Sequence, residues 1–245
     1  MRSKRWLYGL AALAFWLIVW EAAARGLDLS FAIPTVEDTL LALLRLLGMP
    51  DFWQTVAASL GRILLGFAEG TVLGMLLAWL SVINPLADAI ISPAQKIIRC
   101  TPVASFIMVL WILVGRDAVP AAIALLMVMP VIWQALRDGY ADLDPALDDV
   151  VRVFHASRWQ RLTMFVLPSM KRDFLTAMVT SIGLAWKAGV AAEIIAYTAR
   201  SIGRAIADAR NLFNGPEMMA WTLCVIALSL AVEALVQLVL RRQLQ

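Results

Sequence analysis

Long apolar runs, each close to the thickness of a bilayer, set what this chain can fold into. They lie at roughly 6–24, 55–80, 90–114, 119–137, 174–197 and 218–240. A helix rises about 1.5 Å per residue, so about 20 residues cross about 30 Å of hydrocarbon. A membrane barrel strand needs only about 10 residues, which these runs far exceed. Backbone groups in hydrocarbon must satisfy their own hydrogen bonds, and runs of this length do so as helices. Charged residues make up 16% of the 245, against about 25% in an average soluble domain. The expectation is an all-α membrane protein with six transmembrane helices, forming one domain over residues 1–245.

The third run is the irregular one. Pro93, Lys96, Arg99 and Pro102 interrupt it, and its clean apolar core is only Val103 to Val114. Proline removes a helical hydrogen bond, so a bent or broken helix is expected. At the N-terminus, Arg2, Lys4 and Arg5 precede an apolar stretch and Ala22-Ala23-Ala24, in the manner of a signal peptide. Trp6, Trp16 and Trp20 within that stretch, and the spans that follow, fit a retained first helix better. The two cysteines, Cys100 and Cys224, have no metal-type spacing and read as buried thiols.

Basic residues set the orientation. With the N-terminus inside, the cytoplasmic side holds Arg2, Lys4, Arg5, Arg137, Arg152, Arg158, Arg161, Lys171, Arg172, Arg241 and Arg242. Fewer lie outside: Arg25, Arg45, Arg116, Arg200, Arg204 and Arg210. The positive-inside rule then puts both termini in the cytoplasm. The net charge of +3 is a topology signal and does not point to nucleic acid. Two short helices are expected outside. One runs from Thr35 to Leu47 with Thr35 and Asp38 as a capping pair, the other from Ser201 to Leu212.

A polar segment, Asp144 to Pro168, separates the fourth and fifth runs and falls on the cytoplasmic side. Asp144-Pro145 is a helix start, with Asp as N-cap and Pro at the first helical position. Val150, Val151 and Phe154 give that helix an apolar face, and His155-Ala156-Ser157 breaks it. Ser157 caps a second short helix from Arg158 to about Val166, and Pro168 marks a boundary before the next span. Two short amphipathic helices with a tight break form a knob able to dock into a groove.

This segment resembles the EAA loop of the permease subunits of bacterial ABC importers. The family pattern is Glu-Ala-Ala, three residues, Gly, nine residues, Ile, one residue, Leu-Pro. Counting back from Leu167-Pro168 puts Asp149, Val150 and Val151 on Glu-Ala-Ala, His155 on Gly and Phe165 on Ile. The run Ala156-Ser157-Arg158-Trp159-Gln160 also matches wording common in the family. Ser59-Leu60-Gly61-Arg62 through Gly66-Phe67 is similar to the nitrate/sulfonate/taurine branch. So are Gly183-Leu184-Ala185-Trp186, Ala192-Glu193 and the turn Ser201-Ile202-Gly203. The likeness covers roughly residues 31 to 240. The departures are His155 for Gly, a shorter Asp149 for Glu, and valines for alanines. Glycine adopts positive φ at little cost, histidine only uncommonly.

The resemblance implies a type I ABC importer permease fold in the bacterial inner membrane. It implies ABC ATPase subunits gripping Asp149, Val150, Val151, His155, Ala156, Ser157, Arg158, Trp159, Leu167 and Pro168, with ATP bound on those subunits and no cofactor on this chain. It also implies a second permease copy, as a homodimer, and an extracytoplasmic binding protein that delivers a small, anionic solute or a vitamin precursor. The chain has no phosphate-binding loop of the Gly-x-x-x-x-Gly-Lys-Ser/Thr type.

Ionisable residues within spans are candidates for the translocation pathway. Lys187 and Glu193 lie in the fifth span, six positions apart, about 240° around a helix, so they cannot simply pair with each other. Lys187 near mid-span suits an anionic solute or a carbonyl of a neighbouring helix, while Glu193, nearer the outer end, suits a structural role. Arg62 shares a face with Glu69 on the second span, and Lys96 and Arg99 either line a cytoplasmic vestibule or enforce topology. Ala177, Ser181, Ala185 and Gly189 recur every four residues, a small-residue stripe that serves either an intrachain helix pair or a dimer interface. His155, the one histidine, has no metal-type partners in its neighbourhood. An intramembrane enzyme would need a nucleophile–base pair, an aspartate pair or a zinc site within the spans, and none is present. A self-contained secondary transporter, the alternative reading, would show inverted repeats and would leave the 144–168 segment unexplained.

Overall fold

The computed structural model describes residues 2–27, 32–154 and 157–241. The described chain is helical. Its elements are α1 (Arg2–Leu27), α2 (Val36–Leu47), α3 (Pro50–Ile83), α4 (Pro85–Cys100), α5 (Val103–Val114), α6 (Val119–Ala141), α7 (Pro145–Val153), α8 (Arg158–Arg161), a π-turn (Leu162–Val166), α9 (Leu167–Ala196), α10 (Ile202–Asn211) and α11 (Gly215–Arg241). Five of the described helical stretches are long and apolar enough to cross a membrane. The pair α4–α5, bent by 106°, makes a sixth when taken as one span.

That bend is the interruption expected in the third run, and it falls at Thr101-Pro102. Thr101 has ψ 132° and Pro102 ψ 131°, because a residue before proline is pushed out of the helical region. Pro93 is absorbed inside α4. One expectation fails here: Cys100 is exposed, while Cys224 is buried. Cys100 ends α4 at the break, where no following turn covers it.

The chain forms two compact units. The first joins Met1–Ser59 with Ala199–Leu228. Glu21 of α1 accepts the Val36 N–H (3.0 Å) and pairs with Arg25 (2.6 Å), while the Trp20 indole donates to the Pro34 carbonyl (3.0 Å). These bonds fasten α1 to the start of α2. Thr35 caps α2 by accepting the Asp38 N–H, and Ser201 caps α10 by accepting the Arg204 N–H, as the capping patterns require. The Ile202 N–H donates to Ser59 Oγ at 2.9 Å, a buried bond. Phe52 stacks on Trp221 at 4.9 Å between centroids.

The second unit joins Leu60–Thr198 with Ser229–Gln245. Its centre is α6 against α9, closed at one end by Ile107 of α5, Val119 and Ile123 of α6, and Ala192 and Ala196 of α9. Helix α3 packs on α6 through Gly66, Gly70 and Gly74, one glycine per turn. A Cβ added at Gly66 would sit 2.1 Å from the Ala121 carbonyl oxygen, and at Gly70 or Gly74, less severely, 2.8 Å from those of Leu125 and Met129. Small residues at this spacing let two backbones touch. Beyond the glycines, the buried Trp133 indole of α6 donates to Ser81 Oγ of α3 at 3.0 Å.

The small stripe of α9 is spent inside this unit. Ala177, Ser181, Ala185 and Gly189 are all buried, and a Cβ at Gly189 would meet Ile63 Cγ1 at 2.7 Å. Of the two uses open to that stripe, the packing shows the intrachain one.

Gly66→Val is expected to destabilise by at least the roughly 1–3 kcal/mol of an overpacked core, read as a lower melting temperature of detergent-purified protein. Gly61→Ala, where an added Cβ meets nothing within 4 Å, is the control and is expected to melt like the parent.

Candidate functional site

Two features carry chemistry: the 144–168 segment and one face of α9. The segment begins as the sequence dictates. Asp144 Oδ1 accepts the Ala146 N–H at 2.8 Å and Pro145 opens α7. Ser157 then caps α8 with a reciprocal capping box: Ser157 Oγ accepts the Gln160 N–H (3.2 Å) and Gln160 Oε1 accepts the Ser157 N–H (2.8 Å). His155 and Ala156 lie outside the described residues.

Pro168 departs from expectation, because it marks no boundary. Arg158 to Ala196 runs as one helical path, with the five-residue π-turn inserted just before Leu167-Pro168. Proline lacks an N–H and crowds the preceding turn. A wider π-turn is a known way for a helix to accommodate such a defect without ending.

The segment has two unlike sides. Phe165, Val166 and Met170 are buried, and Val151 of α7 packs on them together with Leu136, Tyr140 and Leu143. Facing away, Leu147, Val150, Val153 and Phe154 are exposed, as are Trp159, Met164 and Leu167. Asp149, Arg158 and Pro168 are exposed with them. Within the segment, then, Val151 anchors α7 to the chain while Asp149, Val150 and Trp159 face outward.

Helix α9 is sorted by face. Asp173, Thr176, Thr180, Leu184 and Lys187 are exposed and fall within about 80° of its circumference. Glu193 lies on another face and is fully buried, 3.8 Å from the Arg62 guanidinium of α3. Lys187 and Glu193 are thus separated, as their spacing requires. Arg62 meets Glu193, a pairing between distant spans that spacing alone does not show.

Beside the lower half of the α9 stripe is an open cleft of about 410 Å³. Arg99 from α4, Val131, Gln134 and Ala135 from α6, and Asp173, Thr176, Ala177 and Thr180 from α9 line it. Lys96 is exposed on α4 but does not line this cleft. Arg137 of α6 makes a two-pronged bond to Asp88 of α4, at 2.7 and 2.8 Å, and lies over the Trp133 ring at 5.6 Å. This pair fixes α4, and with it Arg99, against α6. Sequence reasoning missed Asp173, Gln134, Thr176 and Thr180. The signal available was a pair of threonines one turn apart, on the same face as Lys187.

The sequence matches the family of binding-protein-dependent transport system inner membrane components over residues 70–245, and the chain belongs to that family. It is a transport permease component, a multi-pass membrane protein. It is 28% identical over 234 residues to the taurine transport system permease protein TauC of Escherichia coli (strain K12), covering 92% of this chain and 84% of that one. The nitrate import permease protein NrtB of Leptolyngbya laminosa is 28% identical over 194 residues, 78% of this chain and 68% of its own. Among solved structures, the fold is similar to an amino acid ABC transporter (TM-score 0.66, 15% identity, 79% of this chain and 94% of that one). It is also similar to the MetNI methionine ABC transporter (TM-score 0.59, 17% identity, 78% and 93%).

Removing one member of a buried ion pair strands its partner's charge, at about 3 kcal/mol or more. Arg62→Met is therefore expected to lower the melting temperature more than the double variant Arg62→Met with Glu193→Gln. Equal losses in the two would show that the pair carries no coupling.

Proposed function

We propose that this permease forms, with a second copy of itself, the translocation pathway of an ATP-driven importer for a small solute carrying an acidic group. The termini and the 144–168 segment face the cytoplasm, in the bacterial inner membrane. ABC ATPase subunits bind that segment and hold the ATP, and this chain binds no cofactor. An extracytoplasmic binding protein delivers the solute to the opposite face.

The observation that carries this reading is the exposed apolar row on an otherwise polar segment: Leu147, Val150, Val153, Phe154 and Trp159. One side of the segment is already seated on the chain's own Phe165–Met170 cluster, so the row is available to a separate protein. An amphipathic helix presenting apolar residues at such spacing docks into a groove. Asp149 at the edge of the row supplies a charge for registration, and Ser157 with Gln160 sets the angle at which α8 leaves the knob.

Along the pathway, Lys187 gives α9 a cation within the span, and Lys96 and Arg99 give α4 two more near the cytoplasmic side. Arg62 and Glu193, paired with each other, hold α3 to α9 and shape the pathway wall rather than meet the solute. The taurine and nitrate carried by the named relatives both bear an acidic or anionic group, which these cations suit.

The test is ATPase activity of the full complex in proteoliposomes with binding protein and solute present. Trp159→Ala and Asp149→Lys are expected to leave the permease inserted and folded. Truncating an exposed aromatic anchor costs about 2 kcal/mol or more, so stimulated hydrolysis at limiting ATPase is expected to fall about thirtyfold. Parent-level stimulation in both variants would remove the segment from coupling.

A further inference from the structure

The geometry points to the cleft between α4, α6 and α9 as a transit site for a small zwitterion, with its acidic group at Arg99 and its ammonium group at Asp173. This rests on the reading that the exposed stripe of α9 faces the pathway, and it narrows the solute class proposed above.

Lone cations in a pathway would favour any anion. This cleft is different, because Arg99 and Asp173 line it together. Neither of the two makes an ion pair or a side-chain hydrogen bond among the described residues. A simple anion would meet the Asp173 carboxylate at close quarters, and a simple cation would meet the Arg99 guanidinium. A solute bearing both charges satisfies both walls.

The neutral groups lean the same way. Thr176 donates its hydroxyl proton to the Arg172 carbonyl (2.9 Å) and Thr180 to the Thr176 carbonyl (3.0 Å). With the protons committed, each hydroxyl offers the cleft only lone pairs. Gln134 donates one of its two amide protons to the Asp138 carboxylate, which leaves it one N–H and its carbonyl oxygen. The inventory is thus Arg99 and one Gln134 N–H as donors, against the acceptors Asp173, Gln134 Oε1, Thr176 and Thr180. An ammonium group brings three donors and no acceptor, which fits that imbalance. An anion, bringing only acceptors, finds two donor side chains and faces the Asp173 carboxylate as well. The volume of about 410 Å³ is within the range of small-molecule sites, roughly 300–1,000 Å³.

The experiment measures equilibrium binding of radiolabelled probes to the full-length permease in lipid nanodiscs, without ATPase or binding protein. Two pairs of probes differ only in exchanging ammonium for methyl: taurine against propane-1-sulfonate, and β-alanine against butyrate. In each pair the zwitterion is expected to bind at least tenfold tighter, the worth of a hydrogen-bonded charge. Asp173→Asn is expected to abolish that preference, and Arg99→Gln to weaken both members of each pair alike. Thr180→Val, on an exposed helix face, is the milder variant and is expected to reduce the preference several-fold. Equal binding within both pairs, binding of neither zwitterion, or a preference unchanged in Asp173→Asn and Thr180→Val would each overturn the assignment. Because no ATPase takes part, these results stand apart from those that test coupling.

Discussion

Helices in lipid gain little by pressing apolar side chains together, since the tails they displace are as apolar as leucine. What they gain comes from close van der Waals approach and buried hydrogen bonds. In the second unit that approach is made by Gly66, Gly70 and Gly74, which bring the backbone of α3 against that of α6. Each glycine is unfavourable by about 1 kcal/mol in a helix interior. The contact area that opens when the side chain is absent offsets this loss. Helix α6, held on that side, packs against α9 on another.

The rotation of α9 decides which of its residues meet what. With Ala177, Ser181, Ala185 and Gly189 turned inward, the face carrying Thr176, Thr180 and Lys187 turns outward by the helical period alone. The same rotation buries Glu193. A carboxylate there needs partners, and Arg62, 3.8 Å away, is one of them. One packing choice therefore sets both a polar lining and a buried ion pair.

Features that depend on neighbours in sequence were legible from it. Thr35, Asp144 and Ser157 each cap the helix their chemistry implies, because capping acts within three residues. The six apolar runs correspond to five helices and one bent pair, because length and apolarity are local sums. Features that depend on which helix lies beside which were not. Arg137 read as a topology charge until Asp88, from another helix, came within 2.7 Å of it. Gly70 and Gly74 are plain in the sequence, but nothing local says that Leu125 and Met129 face them. Pro168 misled for the opposite reason. Its local rule is strong, and a π-turn, which has no sequence signature of its own, overrode it.

That π-turn bears on how a push at the knob travels. A helix that ended at Pro168 would join the knob to α9 through a loop, and a loop absorbs displacement by changing φ and ψ. The path from Arg158 to Ala196 is instead helical throughout. Trp159 and Lys187 are separated by about 40 Å of continuous helix at 1.5 Å per residue. Axial displacement passes along such a rod almost undiminished. Trp159 and the outward face of α9, with Thr180 and Lys187, are therefore joined with no loop between them.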